Sequence, residues 1–196
     1  FSLHPIKVLS TPLGGMITTN NEELAEKVRA IKFFGINKDP FKRQYAANIW
    51  EYDVTTYGTN YYMGDLTASV GLVQLAKLPK MIERRREIAA MYSEAFTNVG
   101  IDYVKYNKDE SVHHLYVLLV DKRDEFINVM KELGVQCNVH YIPSYHFSYW
   151  GKDGQKEKWS SILTNTEEQF KRMVTIPMYV GMTDEDVKYV VSSILK

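Results

Sequence analysis

The chain has 196 residues, 45% hydrophobic and 24% charged, and its 24 Lys+Arg balance its 24 Asp+Glu. That is enough ordinary globular sequence for one or two domains with a real core, and it lacks the basic excess expected of a partner for nucleic acid or an anionic membrane. A single cysteine, Cys137, excludes an internal disulfide framework and fits a reducing, cytoplasmic setting, and neither a membrane-length apolar run nor a signal-peptide pattern is present.

The first stretch is a strand-like run that ends in Ser2, His4 and Lys7. A turn is expected at Gly14-Gly15, leading into a second β-rich run over residues 16–18. A lysine just past a strand end sits where α/β folds collect ligands, and a desolvated lysine loses its proton readily enough to act as a nucleophile. A solvated surface lysine is the plain alternative.

Asn20 followed by Glu23 reads as a capping box, which opens a helix over residues 21–33 that stops near Gly35. Residues 35–59 are irregular and aromatic, and from Tyr45 to Tyr62 the tyrosines suit a half-buried interface. A second helix is predicted from after Asn60 to Leu78. A third begins at Pro79, a residue tolerated in a first turn, and reaches Val99 with Ile82, Ile88, Ala89, Tyr92 and Phe96 as its apolar stripe. Arg84-Arg85-Arg86 between Glu83 and Glu87 reads as a solvated face with local ion pairs.

Beyond Gly100 the pattern becomes α+β. Strands are expected at residues 114–120 and 135–141, a helix at 124–133, a loop at 142–158 and a short helix at 166–173. A last helix, capped by Thr183-Asp184-Glu185-Asp186, runs to Leu195. The four histidines of this part, His113, His114, His140 and His146, have no Cys or carboxylate at metal-ligand spacing, so no metal site is expected. The domain boundary falls beside Pro79, giving domains at 1–78 and 79–196.

The order Ser2-x-His4-x-x-Lys7, Gly14-Gly15-Met16, Gly58-x-Asn60-Tyr61-x-Met63-x-Asp65, Val139-His140-Tyr141-x-Pro143 and Thr175-Ile176-Pro177-Met178-Tyr179 resembles the DegT/DnrJ/EryC1/StrS family of sugar aminotransferases. The resemblance spans nearly the whole chain but only about the second half of such an enzyme. It implies an α/β fold: the C-terminal part of a fold-type I transferase dependent on pyridoxal 5'-phosphate (PLP). Residues 1–78 would be the end of the large PLP-binding domain and 79–196 the small α+β domain.

By the same resemblance Lys7 is the Schiff-base lysine and proton shuttle, Ser2 binds the cofactor phosphate and His4 lies close to the cofactor. Asn60 reaches the phosphate in a neighbouring subunit, which implies a homodimer with shared active sites. Tyr62, His140, Tyr141 and His146 are candidate substrate contacts. The implied substrates are a keto nucleotide-sugar and glutamate, and the implied products feed polysaccharide or antibiotic-sugar synthesis.

The chain departs from the family pattern at Leu13, Val8, Tyr62 and Gly64, which puts substrate identity in question while leaving lysine chemistry intact. Lys7 argues against the dehydratase branch that carries histidine at this position. The family's pyridine-pairing aspartate, ring-stacking aromatic and Gly-rich phosphate turn all precede the lysine motif, so this chain is expected to be inert alone. The alternative is a non-catalytic binding or dimerisation module derived from the same fold.

Overall fold

The computed structural model describes residues 1–36, 48, 50–107 and 110–196. Residues 37–47 and 49 of the irregular stretch expected at 35–59, Tyr45 among them, lie outside the described residues. The chain divides into two compact units, Phe1–Leu78 and Pro79–Lys196.

In the first unit, Phe1–Leu3 and Gly14–Met16 lie antiparallel. Phe1 N donates to Met16 O and Met16 N to Phe1 O, Leu3 N donates to Gly14 O, and Ser2 bridges to Gly15. The Gly-Gly pair is therefore the returning strand rather than the turn. Glycine is needed because a Cβ at Gly15 would come within 2.9 Å of Phe1 O, and Gly14 sits at φ +135°. Helix α1 (Glu22–Ile31) follows, capped by Asn21 rather than Asn20, whose side chain accepts from Leu24 N at 3.0 Å. Gly35, at φ +73°, closes its end by donating to Ala30 O.

Helix α2 (Asp65–Val99) corrects the expectation of two helices: it runs through Pro79 without ending. Proline removes one hydrogen bond at a cost of about 3 kcal/mol.

In the second unit, β1 (Tyr116–Leu119) pairs antiparallel with β2 (Met173–Ile176), in the register Tyr116↔Ile176 to Leu119↔Met173. Between them come α3 (Arg123–Glu132), a 3₁₀ turn (Ser144–His146), α4 (Gln155–Ile162) and α5 (Thr164–Arg172); α6 (Asp184–Ile194) follows β2. Tyr103 flanks β1 and Asn138 flanks β2, each through a single bridge.

The strand expected at 135–141 thus reduces to a single bridge, Asn138 with Thr175. The expected loop at 142–158 contains the 3₁₀ turn and the start of α4, and Met173 belongs to β2 rather than to the preceding helix.

Ile88, Ala89, Tyr92 and Phe96 form one stripe of α2 and pack with Tyr116, Leu118, Met130, Ile176, Val187 and Val190 in a single core. Its polar tips are satisfied: Tyr92 OH donates to Pro177 O at 2.8 Å, and Tyr116 OH meets Ser93 Oγ at 2.9 Å. Thr183 and Asp186 form the expected capping box of α6.

The basic run of α2 is not a solvated face. Arg84 bonds to Glu87, Asp184 and Met182 O, while Arg86 donates to Ser111 O. Arg85 is buried and donates to the carbonyls of His113, His114 and Met178. Helical spacing directs three adjacent arginines toward different neighbouring segments, so a run along the sequence is not a patch in space. Among the described residues no helix is long and apolar enough to cross a membrane.

Candidate active site

The Ser2–Lys7 stretch lies on the loop that leaves the Phe1–Leu3 strand and returns at Gly14. Its base is closed by Thr11, which is buried: its N–H donates to Leu3 O at 2.8 Å and its hydroxyl to Leu13 O at 2.9 Å, with Leu3 O also within 3.3 Å. Within the loop Lys7 N donates to His4 O at 2.8 Å, Ile6 N to His4 Nδ1 at 3.4 Å and His4 N to Ser2 Oγ at 3.4 Å. A tight turn thereby places a hydroxyl, an imidazole and a primary amine on one short loop. Ser2 and His4 are exposed and Lys7 is half-buried.

Thr11→Val keeps the shape of this closure and removes its donor, at a cost of about 1 kcal/mol. The expected result is exchange of the Leu3 amide faster by roughly fivefold, with Thr11→Ser close to the parent. Amide exchange resolved at Leu3 checks it.

Asn60 lies at the far end of α1, where it bridges to Phe33 and accepts from Tyr62 N at 3.2 Å. Tyr62 packs edge-on against Phe33, and Lys32 Nζ stands 5.3 Å from its ring centre.

The remaining candidates belong to the second unit. His140 Nδ1 meets Thr175 Oγ1 at 3.0 Å, and Tyr141 is exposed with its ring edge-on to His140. His146 Nε2 lies 2.7 Å from Glu167 Oε1, which also accepts from Ser160 Oγ at 2.8 Å. These contacts tie His146 into the joint between the 3₁₀ turn, α4 and α5, a role that sequence spacing did not disclose.

The His146 and Ser160 hydrogen bonds hold the Glu167 carboxyl down, from 4.5 to about 2. A depressed carboxylate stabilises the fold above its unfolded value, and that contribution fades as pH falls from 4.5 toward 2. Glu167→Gln is therefore expected to flatten this part of the acid-unfolding curve and to leave its shape above pH 5 unchanged. Urea midpoints measured across that range test it.

PLP needs an amine for its aldehyde, donors for its phosphate and a partner for its ring nitrogen. The Ser2–Lys7 loop fits the first two through Lys7 Nζ and Ser2 Oγ. No Asp or Glu occurs before Glu22, so a carboxylate for the ring nitrogen does not come from this loop. Burial pushes the Cys137 thiol up to about 11, which leaves it an inert core group.

The chain is 36% identical to the spore coat polysaccharide biosynthesis protein SpsC of Bacillus subtilis, over 99% of this chain and 52% of SpsC. It is 35% identical to the uncharacterized protein MJ1066 of Methanocaldococcus jannaschii, over all of this chain and 52% of that one. Among solved structures, the putative sugar aminotransferase Spr1654 of Streptococcus pneumoniae in its PMP form superposes with a TM-score of 0.84 at 25% identity, over 99% of this chain and 51% of that one. The same protein is also solved in a PLP form. The chain thus spans about half the length of the relatives it matches. Its fold is that of part of a fold-type I PLP-dependent transferase. With a match running from residue 1 to residue 195, the chain belongs to the DegT/DnrJ/EryC1/StrS aminotransferase family, whose enzymes depend on PLP.

Proposed function

We propose that this chain supplies the lysine-bearing part of a PLP-dependent aminotransferase that moves an amino group from glutamate to a keto nucleotide-sugar. The observation that carries this reading is the Ser2–His4–Lys7 loop, tied off by buried Thr11, in a chain of this family. SpsC is described as a polysaccharide biosynthesis protein and Spr1654 as a sugar aminotransferase, and both support a sugar substrate.

When bound, the cofactor supplies an aldehyde for amine attachment and a ring that accepts an electron pair. Lys7 Nζ would hold it covalently and, when free, would take and return the proton at the substrate carbon that carries nitrogen. Ser2 Oγ would donate to the cofactor phosphate, His4 would lie close to the cofactor and Asn60 would reach the phosphate in a second subunit. Tyr62, His140 and Tyr141 stand as sugar-nucleotide contacts; His146 acts through its bond to Glu167. Phe1–Leu78 is the end of the large domain and Pro79–Lys196 the small one. A cytoplasmic homodimer completes the reading, with the isolated chain inactive.

Borohydride reduction of the cofactor-loaded complete enzyme, followed by peptide mapping, should place the adduct on Lys7. An adduct on another lysine, or none with cofactor in excess, would overturn the assignment; none at all would favour the binding module.

A further inference from the structure

Strand β2 reads Met173-Val174-Thr175-Ile176, and its last three residues are buried. A hydroxyl inside an otherwise apolar core strand costs stability unless it is bonded. The Thr175 hydroxyl has one partner among the described residues, His140 Nδ1 at 3.0 Å. The backbone holds the two segments in register, since Thr175 N donates to Asn138 O at 2.7 Å and Asn138 N to Thr175 O at 3.0 Å. A β-branched side chain on a paired strand has little χ1 freedom, so its oxygen stays where the strand puts it.

This bond decides which ring nitrogen carries the proton. Were Nδ1–H to donate to Oγ1, the hydroxyl proton would be a buried donor without an acceptor. When the hydroxyl donates to Nδ1 instead, only oxygen lone pairs stay empty, which is the cheaper deficit. In a neutral imidazole the proton then sits on Nε2. Nε2 makes no hydrogen bond to the described residues, nor is it one of the buried polar atoms that lack a partner, so it is open to solvent. His146 is the opposite case: its Nε2 is taken up by Glu167 Oε1 at 2.7 Å, and both side chains are less than a fifth exposed.

The open nitrogen of His140 has an aromatic neighbour. The Tyr141 ring lies edge-on to His140 with centres 4.8 Å apart, and Tyr141 is 59% exposed. A neutral N–H beside an open aromatic ring suits a sugar: the N–H bonds a hydroxyl or carbonyl oxygen, and the ring covers apolar C–H surface. Recognition of a diphosphate calls for charged donors, which neither ring supplies.

We propose that Thr175 is a positioning residue: by donating to Nδ1 it holds His140 as an Nε2–H donor for an uncharged oxygen of the sugar part of the substrate. The sugar contact rests on the aminotransferase reading; the place of the proton on Nε2 does not.

The test uses the complete enzyme labelled with 15N-histidine, with His140→Gln identifying the signal. Long-range 15N–1H correlation at mildly alkaline pH should show Nδ1 unprotonated and Nε2 protonated. Thr175→Val should move the Nδ1 signal toward the average of two exchanging tautomers, and Thr175→Ser should restore the parent pattern. A parent ring protonated on Nδ1, or a Thr175→Val signal identical to the parent's, overturns the proposal.

Kinetics with UDP- and dTDP-linked keto-deoxyhexoses read the consequence. Thr175→Val should raise KM for the keto sugar about tenfold while kcat falls no more than about twofold, with Thr175→Ser near the parent. Thr97→Val removes an exposed hydroxyl of α2 that meets Tyr103 OH at 3.0 Å, and should leave KM unchanged. Binding of UDP or dTDP alone should not differ between Thr175→Val and the parent. Equal weakening there would put Nε2 on a phosphate and overturn the sugar contact, as would an unchanged KM in Thr175→Val. An enzyme that moves no amino group from glutamate to either sugar, yet holds the Nε2–H form, would remove the aminotransferase reading and uphold Thr175 as the residue that sets the His140 proton.

Discussion

Lys7→Ala is expected to abolish amino transfer by the complete enzyme, lowering kcat by at least about 10³-fold. The amine both anchors the cofactor and carries the proton, so its loss removes two functions together. Stability should barely change: Lys7 is half-buried, and among the described residues its Nζ makes no hydrogen bond. Lys7→Arg should be equally inactive despite keeping the charge, because a guanidinium stays protonated and cannot form the covalent link. Both variants should fold as the parent by circular dichroism and show no borohydride-stable adduct at this position. A Lys7→Arg enzyme with a tenth of the parent rate would show that the charge, rather than the nucleophile, is what the loop provides.

Local grammar was readable where one short-range rule acted without competition. Thr183 with Asp186 is a capping box set by four adjacent residues, and the stripe Ile88, Tyr92, Phe96 follows helical period alone. The Ser2–His4–Lys7 cluster was visible through family resemblance; by itself it is three polar residues on a short loop. Reading failed where a distant partner decided the outcome. Pro79 looks like a helix start, yet the helix that opens at Asp65 runs on through it to Val99. Residues 135–141 have strand composition, but their pairing with β2 is the single bridge of Asn138 to Thr175. The bond from His146 to Glu167 spans 21 positions, and nothing near either residue announces it.

The arginine run makes the same distinction measurable, and Arg85→Met carries the largest expected effect on stability. The Arg85 guanidinium is buried and gathers the carbonyls of His113, His114 and Met178, so it joins α2 to the segment before β1 and to the segment after β2. Burial lowers its pKa, a cost that removing the charge would recover. A buried ion pair can often be replaced by apolar residues without loss, because both polar partners go together. Here the acceptors are backbone carbonyls and must remain. Each buried acceptor left without a donor costs about 1–3 kcal/mol. His113 adds to this, since it is held at φ +45°, a conformation unfavourable for a residue with a Cβ.

The acceptor cost exceeds what desolvation returns, and a net loss of about 3 kcal/mol is expected, or roughly 10 °C in Tm. Arg85→Lys should recover part of it, because all three carbonyls lie around one atom, Nη1, and an ammonium also presents its three donors from one atom. Arg86→Met, at an exposed neighbour, should cost no more than about 1 kcal/mol. Thermal and urea unfolding of the three variants decide the matter: if Arg85→Met were no worse than Arg86→Met, the three carbonyls would have to find water, and Arg85 would be no clamp.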